Sequence, residues 1–203
     1  MKKITLMVVV VLALVFAVAC GSMVKYKKGD NTKGYLAGVK KIAVQFDYSK
    51  AMVGKFATEA DYVNDKVTEL NKKEAGKGDT WKGKWDTQKD VVFTPKFESL
   101  INEYAKDAGL EIGTKVTDAE LTMVITITKL EPGWNIVISR QNAYVSFQID
   151  IYKTADMNTP VASYEMFNVP GGTAGGYDFD AATRLGESFA KAGKELGAFF
   201  AAK

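Results

Sequence analysis

Histidine is absent from all 203 residues, cysteine occurs once and proline four times. Without an imidazole there can be no histidine general base, no Ser-His-Asp triad and none of the common histidine-containing zinc sites. A lone cysteine allows no internal disulfide. Net charge is nearly absent too, since 27 basic against 24 acidic side chains give +3, which marks no nucleic-acid partner. Any catalysis would fall to carboxylates, lysine, tyrosine or serine, and the expectation is a protein that is not an enzyme and carries no cofactor or metal.

What is present starts at the N-terminus. Lys2 and Lys3 precede an uncharged apolar run from Ile4 to Ala19, which stops at Ala17-Val18-Ala19-Cys20. This is the order of a removable export signal, because cations hold the cytoplasmic side and small residues open the backbone to a peptidase. The run is shorter than the ~20 residues a spanning helix needs. Cleavage before Cys20 would remove two of the 27 basic side chains, leaving them almost level with the 24 acidic ones. The mildly basic balance therefore belongs mostly to the leader.

Ala17-Val18-Ala19-Cys20 resembles the lipobox of bacterial lipoproteins, with Ala17 standing where leucine is commonest. The resemblance covers only the leader and Cys20. It implies that Cys20 is diacylated on sulfur, becomes the N-terminus on cleavage and is acylated again on its amine, so that no thiol is left for chemistry. By the sorting logic of that family, Gly21 in place of aspartate implies the outer membrane of a two-membrane cell, with the chain facing the periplasm. The other reading is an ordinary secretory leader that contains a cysteine, although a single leftover thiol in an exported chain calls for an explanation.

Residues 20–39 hold glycines and lysines with no regular apolar period, and they predict a flexible tether that would reach ~60 Å fully extended. Its lysines either lie against anionic headgroups or are simply solvated. Residues 40–203 then predict a single domain. Ile42, Val44 and Phe46 alternate as in a half-buried strand, and Thr58 with Asp61 resembles a capping box opening a helix over 59–74. Residues 74–90 are polar, contain glycine and carry Trp81 and Trp85. Thr94 as N-cap, Pro95 behind it and Gly109 past the end bound a second helix. Strands follow at 121–130, 144–152 and 161–167, with 134–139 a further short strand or an extension of the hairpin arms. A glycine-rich loop over 170–176 leads into a helix over 179–202. The order β-α-α-β-β-β-α predicts an α+β two-layer sandwich in which helices cover one face of a largely antiparallel sheet of about four strands.

Several constellations invite chemistry. Ser188-Phe189-Ala190-Lys191 matches the S-x-x-K pattern of serine acyl-enzymes, but its partner motifs are missing and a solvated helix explains it as well. The glycines between 171 and 176 precede a helix without a phosphate-loop ending, so a connector capped by Asp178 or Asp180 is the simpler reading. Asp178 with Asp180 are too few ligands to specify a cation site, and Asp61, Asp65 and Glu69 read as a solvated helix face among lysines. Ala182, Gly186, Ala190, Gly193, Gly197 and Ala201 form a row of small residues, suited to close packing onto the sheet or, as a lesser reading, to oligomerisation.

Five residues form the candidate ligand or partner surface. If 74–90 is a loop, Trp81 and Trp85 provide either a stacking platform or satellite core, and Trp134 would join them in a groove. Tyr144 and Tyr152 would share an open sheet face with Gln45, Asp47, Thr126, Thr128, Gln148 and Asp150. The leading expectation is a non-enzymatic envelope lipoprotein whose domain binds or scaffolds another envelope component; in element order it is weakly similar to small periplasmic accessory lipoproteins. The alternative is a glycan-binding or glycan-cleaving module with Asp47 and Asp150 as acid and base, which requires two carboxyls within ~10 Å beside exposed tryptophans.

Overall fold

The computed structural model describes residues 23–136, 138–172 and 180–202. Cys20 with its leader, and Asp178 with most of the glycine-rich segment, lie outside the described residues. The architecture is an α+β sandwich. Its sheet is centred on β5 (Leu121–Glu131) and β8 (Ala143–Lys153), antiparallel strands paired from Leu121↔Lys153 to Glu131↔Tyr144. Strand β9 (Ala162–Gly171) flanks β8, and β1 (Lys25–Gly29) pairs antiparallel with β9 at one edge. On the other side β2 (Lys41–Asp47) and then β4 (Glu111–Gly113) run parallel to β5, while the short β3 (Met52–Val53) pairs with β5 beyond the end of β2. The sheet is therefore wider than the expected four strands, and one half of it is parallel. The helices inserted after β3 provide the crossover that a parallel return to β4 requires.

Alternation along the strands decides which face is buried. Val44, Met123, Ile125, Phe147, Ile149, Ile151 and Tyr164 all lie on the inner face and are at most 3% exposed. Two helices close over them: α3 (Thr94–Ala105), followed by a 3-10 turn at Lys106–Ala108, and α4 (Ala181–Ala201). Phe189 sits at the centre, stacked on Phe93 with ring centroids 4.8 Å apart and edge-on to Phe147 at 5.2 Å. Gly109 ends the second helical run at φ 69, as its left-handed capping position demands. Asp180 caps α4 by accepting a hydrogen bond from the Thr183 amide at 3.1 Å.

The row of small residues serves the helix pair more than the sheet. A Cβ on Gly193 would collide with the Phe97 carbonyl oxygen, and one on Gly197 would lie 2.6 Å from that of Ile101. Backbone-to-backbone approach of α3 and α4 is possible only because these positions carry no side chain.

Two sequence readings are overturned. Residues 74–90 are not a loop: α1 (Glu59–Lys73), capped by Thr58 as expected, turns back into α2 (Lys77–Gln88). Nor does Thr94 cap a new helix, because α2 continues through a π turn at Lys89–Phe93 directly into α3. The Thr94 amide donates to the Lys89 carbonyl five residues back. This wider turn makes room for Pro95, which lacks an amide and would clash with the carbonyl four residues before it in a regular helix.

The third correction concerns the tether, because from Val24 onward it is part of the domain. Val24 is buried, Tyr26 packs edge-on to Tyr164, and Lys27 pairs with Glu165 at 2.6 Å. The Asp30 amide donates to the Val161 carbonyl at 2.8 Å, and the Tyr35 and Tyr164 hydroxyls meet at 2.9 Å. Lys33 donates to the Phe199 and Ala202 carbonyls, closing the C-terminal end of α4 with a cation where the helix dipole is negative.

Candidate functional site

Trp81 and Trp85, four residues apart on α2, share a helix face. Their rings stack with centroids 5.5 Å apart, and both meet Tyr62 of α1, which in turn touches Phe56. Trp85 is 3% exposed, and its Nε1 donates to Glu59 Oε1 at 2.8 Å. The other Glu59 oxygen accepts from Lys89 Nζ at 2.7 Å, and that ammonium stands 4.3 Å from the Tyr48 ring centroid. This ladder holds the α1–α2 hairpin together. Burial leaves Trp85 no ring face for a sugar, and Trp81 is half-covered at the rim of a shallow groove beside Leu70, Thr80 and Lys84.

Gly78 explains how the two helices come so close. A Cβ there would collide with the Val67 carbonyl, and its amide donates to Asn71 Oδ1 at 2.7 Å, which satisfies one free amide at the start of α2. The sequence signal for this helix was the four-residue spacing of Trp81 with Trp85 and of Lys82 with Asp86. Gly78 and Gly83 obscured it.

The sheet face away from the helices does assemble the expected polar set. Register places Gln45 level with Val124, Asp150 and Ser163, and Asp47 level with Thr126, Gln148 and Glu165. Tyr144 and Tyr152 lie on the same side of β8 by alternation. Asp150 is buried and accepts hydrogen bonds from Ser163 Oγ and, at 2.8 Å, from Gln148 Nε2. Burial pushes the Tyr152 hydroxyl above its ordinary range.

The two aspartates of this face occupy different strands and environments. Asp47 and Asp150 stand two strands and two register steps apart, roughly 12 Å between backbones. Hydrogen bonds from the Ser49 hydroxyl and amide hold the Asp47 carboxyl below the usual carboxylate range, opposite to what a general acid needs.

The remaining constellations are structural as well. Ser188 is fully buried, with no partner for its hydroxyl among the described residues, and it faces Gly171, where a Cβ would collide with it. Lys191 lies a turn further along α4, as the motif requires, but full burial of Ser188 gives its hydroxyl no opening for an acyl group among the described residues. Glu69 is engaged by Lys66 at 2.9 Å and Lys73 at 2.6 Å, whose hydrogen bonds bring its carboxyl down to about 2. Among the described residues no group of three His, Cys, Asp or Glu side chains is placed to hold a metal. No described helix is long and apolar enough to cross a membrane.

Trp134 lies elsewhere. It opens a two-stranded hairpin of β6 (Trp134–Asn135) and β7 (Arg140–Gln141), which continues the β5–β8 hairpin beyond Pro132 and Gly133. The residue is 42% exposed, and its Nε1 donates to Gln141 Oε1 at 3.2 Å. Arg184, buried on α4, donates to the carbonyls of Pro132 at 3.0 Å and Gly133 at 3.2 Å, clamping the foot of this hairpin. Among the described residues no ring contact joins Trp134 to the tryptophans of α2.

No protein-family profile and no curated protein sequence matches the chain. Among solved structures the chain is similar to the PelC dodecamer from Paraburkholderia phytofirmans, at 10% identity over 85% of this chain and 97% of that one, with a TM-score of 0.40. A TM-score that low lends the likeness no weight for function.

The hairpin tip was the feature that sequence reasoning passed over. Ile136 is 60% exposed and Ile138 90% exposed, in a turn closed by the Ile136 amide donating to the Ser139 carbonyl at 3.0 Å. Asparagine, aspartate or glycine would be the ordinary occupants of such a turn. The presence of Ile136 and Ile138 in it was the available signal.

Proposed function

We propose that the chain is a non-enzymatic envelope lipoprotein, anchored through acylated Cys20, whose α+β domain binds or scaffolds another envelope component. The observation that carries this reading is the position of the single cysteine directly after the basic and apolar leader, at Ala17-Val18-Ala19-Cys20. The arrangement of the domain fits it. What it exposes is a polar sheet face and an apolar hairpin tip, surfaces suited to contact with a partner. Gly21 after the cysteine supports the outer membrane as destination, with the domain on its periplasmic side.

The domain begins at Met23, three residues after Cys20, so the anchored protein is held against its membrane instead of standing ~60 Å away. Replacing Cys20→Ser tests the proposal. Intact-mass measurement should show loss of the acyl chains, and the protein should leave the membrane fraction. Unchanged mass and fractionation would defeat it. The glycan reading has no comparable support, because Trp85 is buried and Trp134 lies apart from the tryptophans of α2.

A further inference from the structure

The anchored end and the exposed hairpin lie at the same end of the sheet. Strand β1 enters at Lys25 opposite Glu165 and runs toward Gly29 opposite Ala162, so the chain before Lys25 points along β9 toward Gly171. Gly171 pairs with Ala143, where β8 begins and where the β6–β7 hairpin joins. Two strand spacings, about 10 Å, separate β1 from β8. Along the strands Lys25 stands level with Glu165 and Gln148, about 17 Å short of Ala143, and the five residues back to Cys20 span about 17 Å when extended, which would bring the anchor level with the foot of the hairpin.

Trp134, Ile136 and Ile138 together expose an apolar wedge that the domain itself does not use. Its foot is clamped, since Arg184 donates to the Pro132 and Gly133 carbonyls, and Gly133 at φ 59 packs too close to the Gln141 carbonyl to carry a side chain. Exposed Arg140, opposite Asn135 in the hairpin, turns its guanidinium back toward the foot, Nη2 donating to Asn142 Oδ1 at 3.3 Å. An indole and aliphatic side chains at a tip, with a guanidinium behind them, match a bilayer boundary: indoles favour the interface, aliphatic groups the acyl region and cations the anionic headgroups.

We propose that this hairpin tip inserts into the leaflet that holds the acyl chains of Cys20, so that the domain is seated at two points. This rests on the lipoprotein reading above. One anchor alone would leave the domain free to swivel. A second contact fixes its tilt and directs its polar sheet face toward a partner in a set orientation.

The sulfur of acylated Cys20 is blocked, so Ile138→Cys supplies a single free thiol for an environment-sensitive fluorophore, and Met157→Cys supplies a control. Met157, 41% exposed, lies in the turn joining β8 to β9 at the far end of the sheet. The full-length acylated protein is reconstituted into phosphatidylethanolamine/phosphatidylglycerol vesicles. The expected result is quenching at position 138 by lipid-borne nitroxide, together with at least about five-fold weaker quenching by aqueous iodide than at 157. Equal iodide access at the two positions overturns the proposal. Shielding at 138 that persists in detergent, grows with protein concentration and ignores nitroxide lipid also overturns it, in favour of contact between copies. Intact mass is read on the same sample: absence of acyl mass on Cys20 overturns the anchoring reading and the two-point seating with it, whereas acylation with an accessible 138 defeats only the seating.

Discussion

Phe189 shows how one side chain ties the layers together, since its ring touches Phe93 on the π turn, Phe147 on β8 and Phe46 on β2. Truncation to alanine removes these contacts and leaves a cavity between sheet and helices. Phe189→Ala should cost about 3–5 kcal/mol in urea unfolding. Glu69 acts through charge. Its carboxyl falls from the ordinary 4.5 to about 2 because Lys73 and Lys66 hydrogen-bond the ionised form. A depressed carboxyl stabilises the fold above its unfolded value, and that contribution is lost as pH falls through the folded one. Glu69→Gln should therefore flatten the acid dependence of stability between about pH 4.5 and 2. The effect should shrink in salt, because all three side chains are exposed to solvent.

Glycine has opposite consequences in different elements. Gly83 lies on α2 with open space where a Cβ would stand, whereas Gly193 on α4 abuts the Phe97 carbonyl. Gly83→Ala should raise stability by about 0.5–1 kcal/mol through reduced backbone entropy. Gly193→Ala should lower it by roughly 1–3 kcal/mol, because α3 and α4 must separate. Thermal unfolding of the two variants against the parent checks both signs. The same contrast explains why α1 was readable and α2 was not. Thr58 with Asp61 and a regular apolar stripe announce α1, whereas α2 buries few apolar side chains and contains two glycines. Its helical state depends on Trp85 reaching Tyr62 and Glu59, partners that only the folded hairpin supplies.

At the scale of the whole molecule, the segment before Lys40 changes where the domain begins. A solvated tether would move independently of the domain, but a docked edge strand with Lys33 on the end of α4 makes residues 24–39 part of it. Hydrogen exchange checks this directly: the amides of Asp30 and Tyr35, which donate to Val161 and to the Asp30 carboxylate, should exchange far more slowly than in a free coil. The strand escaped detection because Lys25, Lys27 and Lys28 are charges suited to an exposed sheet edge, and an edge strand shows little apolar alternation.

The sequence by itself determined what depends on local order and on composition. The basic and apolar run before Cys20 is read along the chain, the central strands follow from their alternation, and missing histidine removes histidine-based chemistry in any fold. Only the tertiary structure decided the rest, because it depends on partners distant in the chain. Tyr62 and Glu59 make Trp85 part of a helix core, and pairing with β9 makes a lysine-rich segment a strand. Sheet register separates Asp47 from Asp150, and the Arg184 clamp presents Ile136 and Ile138 to whatever lies beyond the domain.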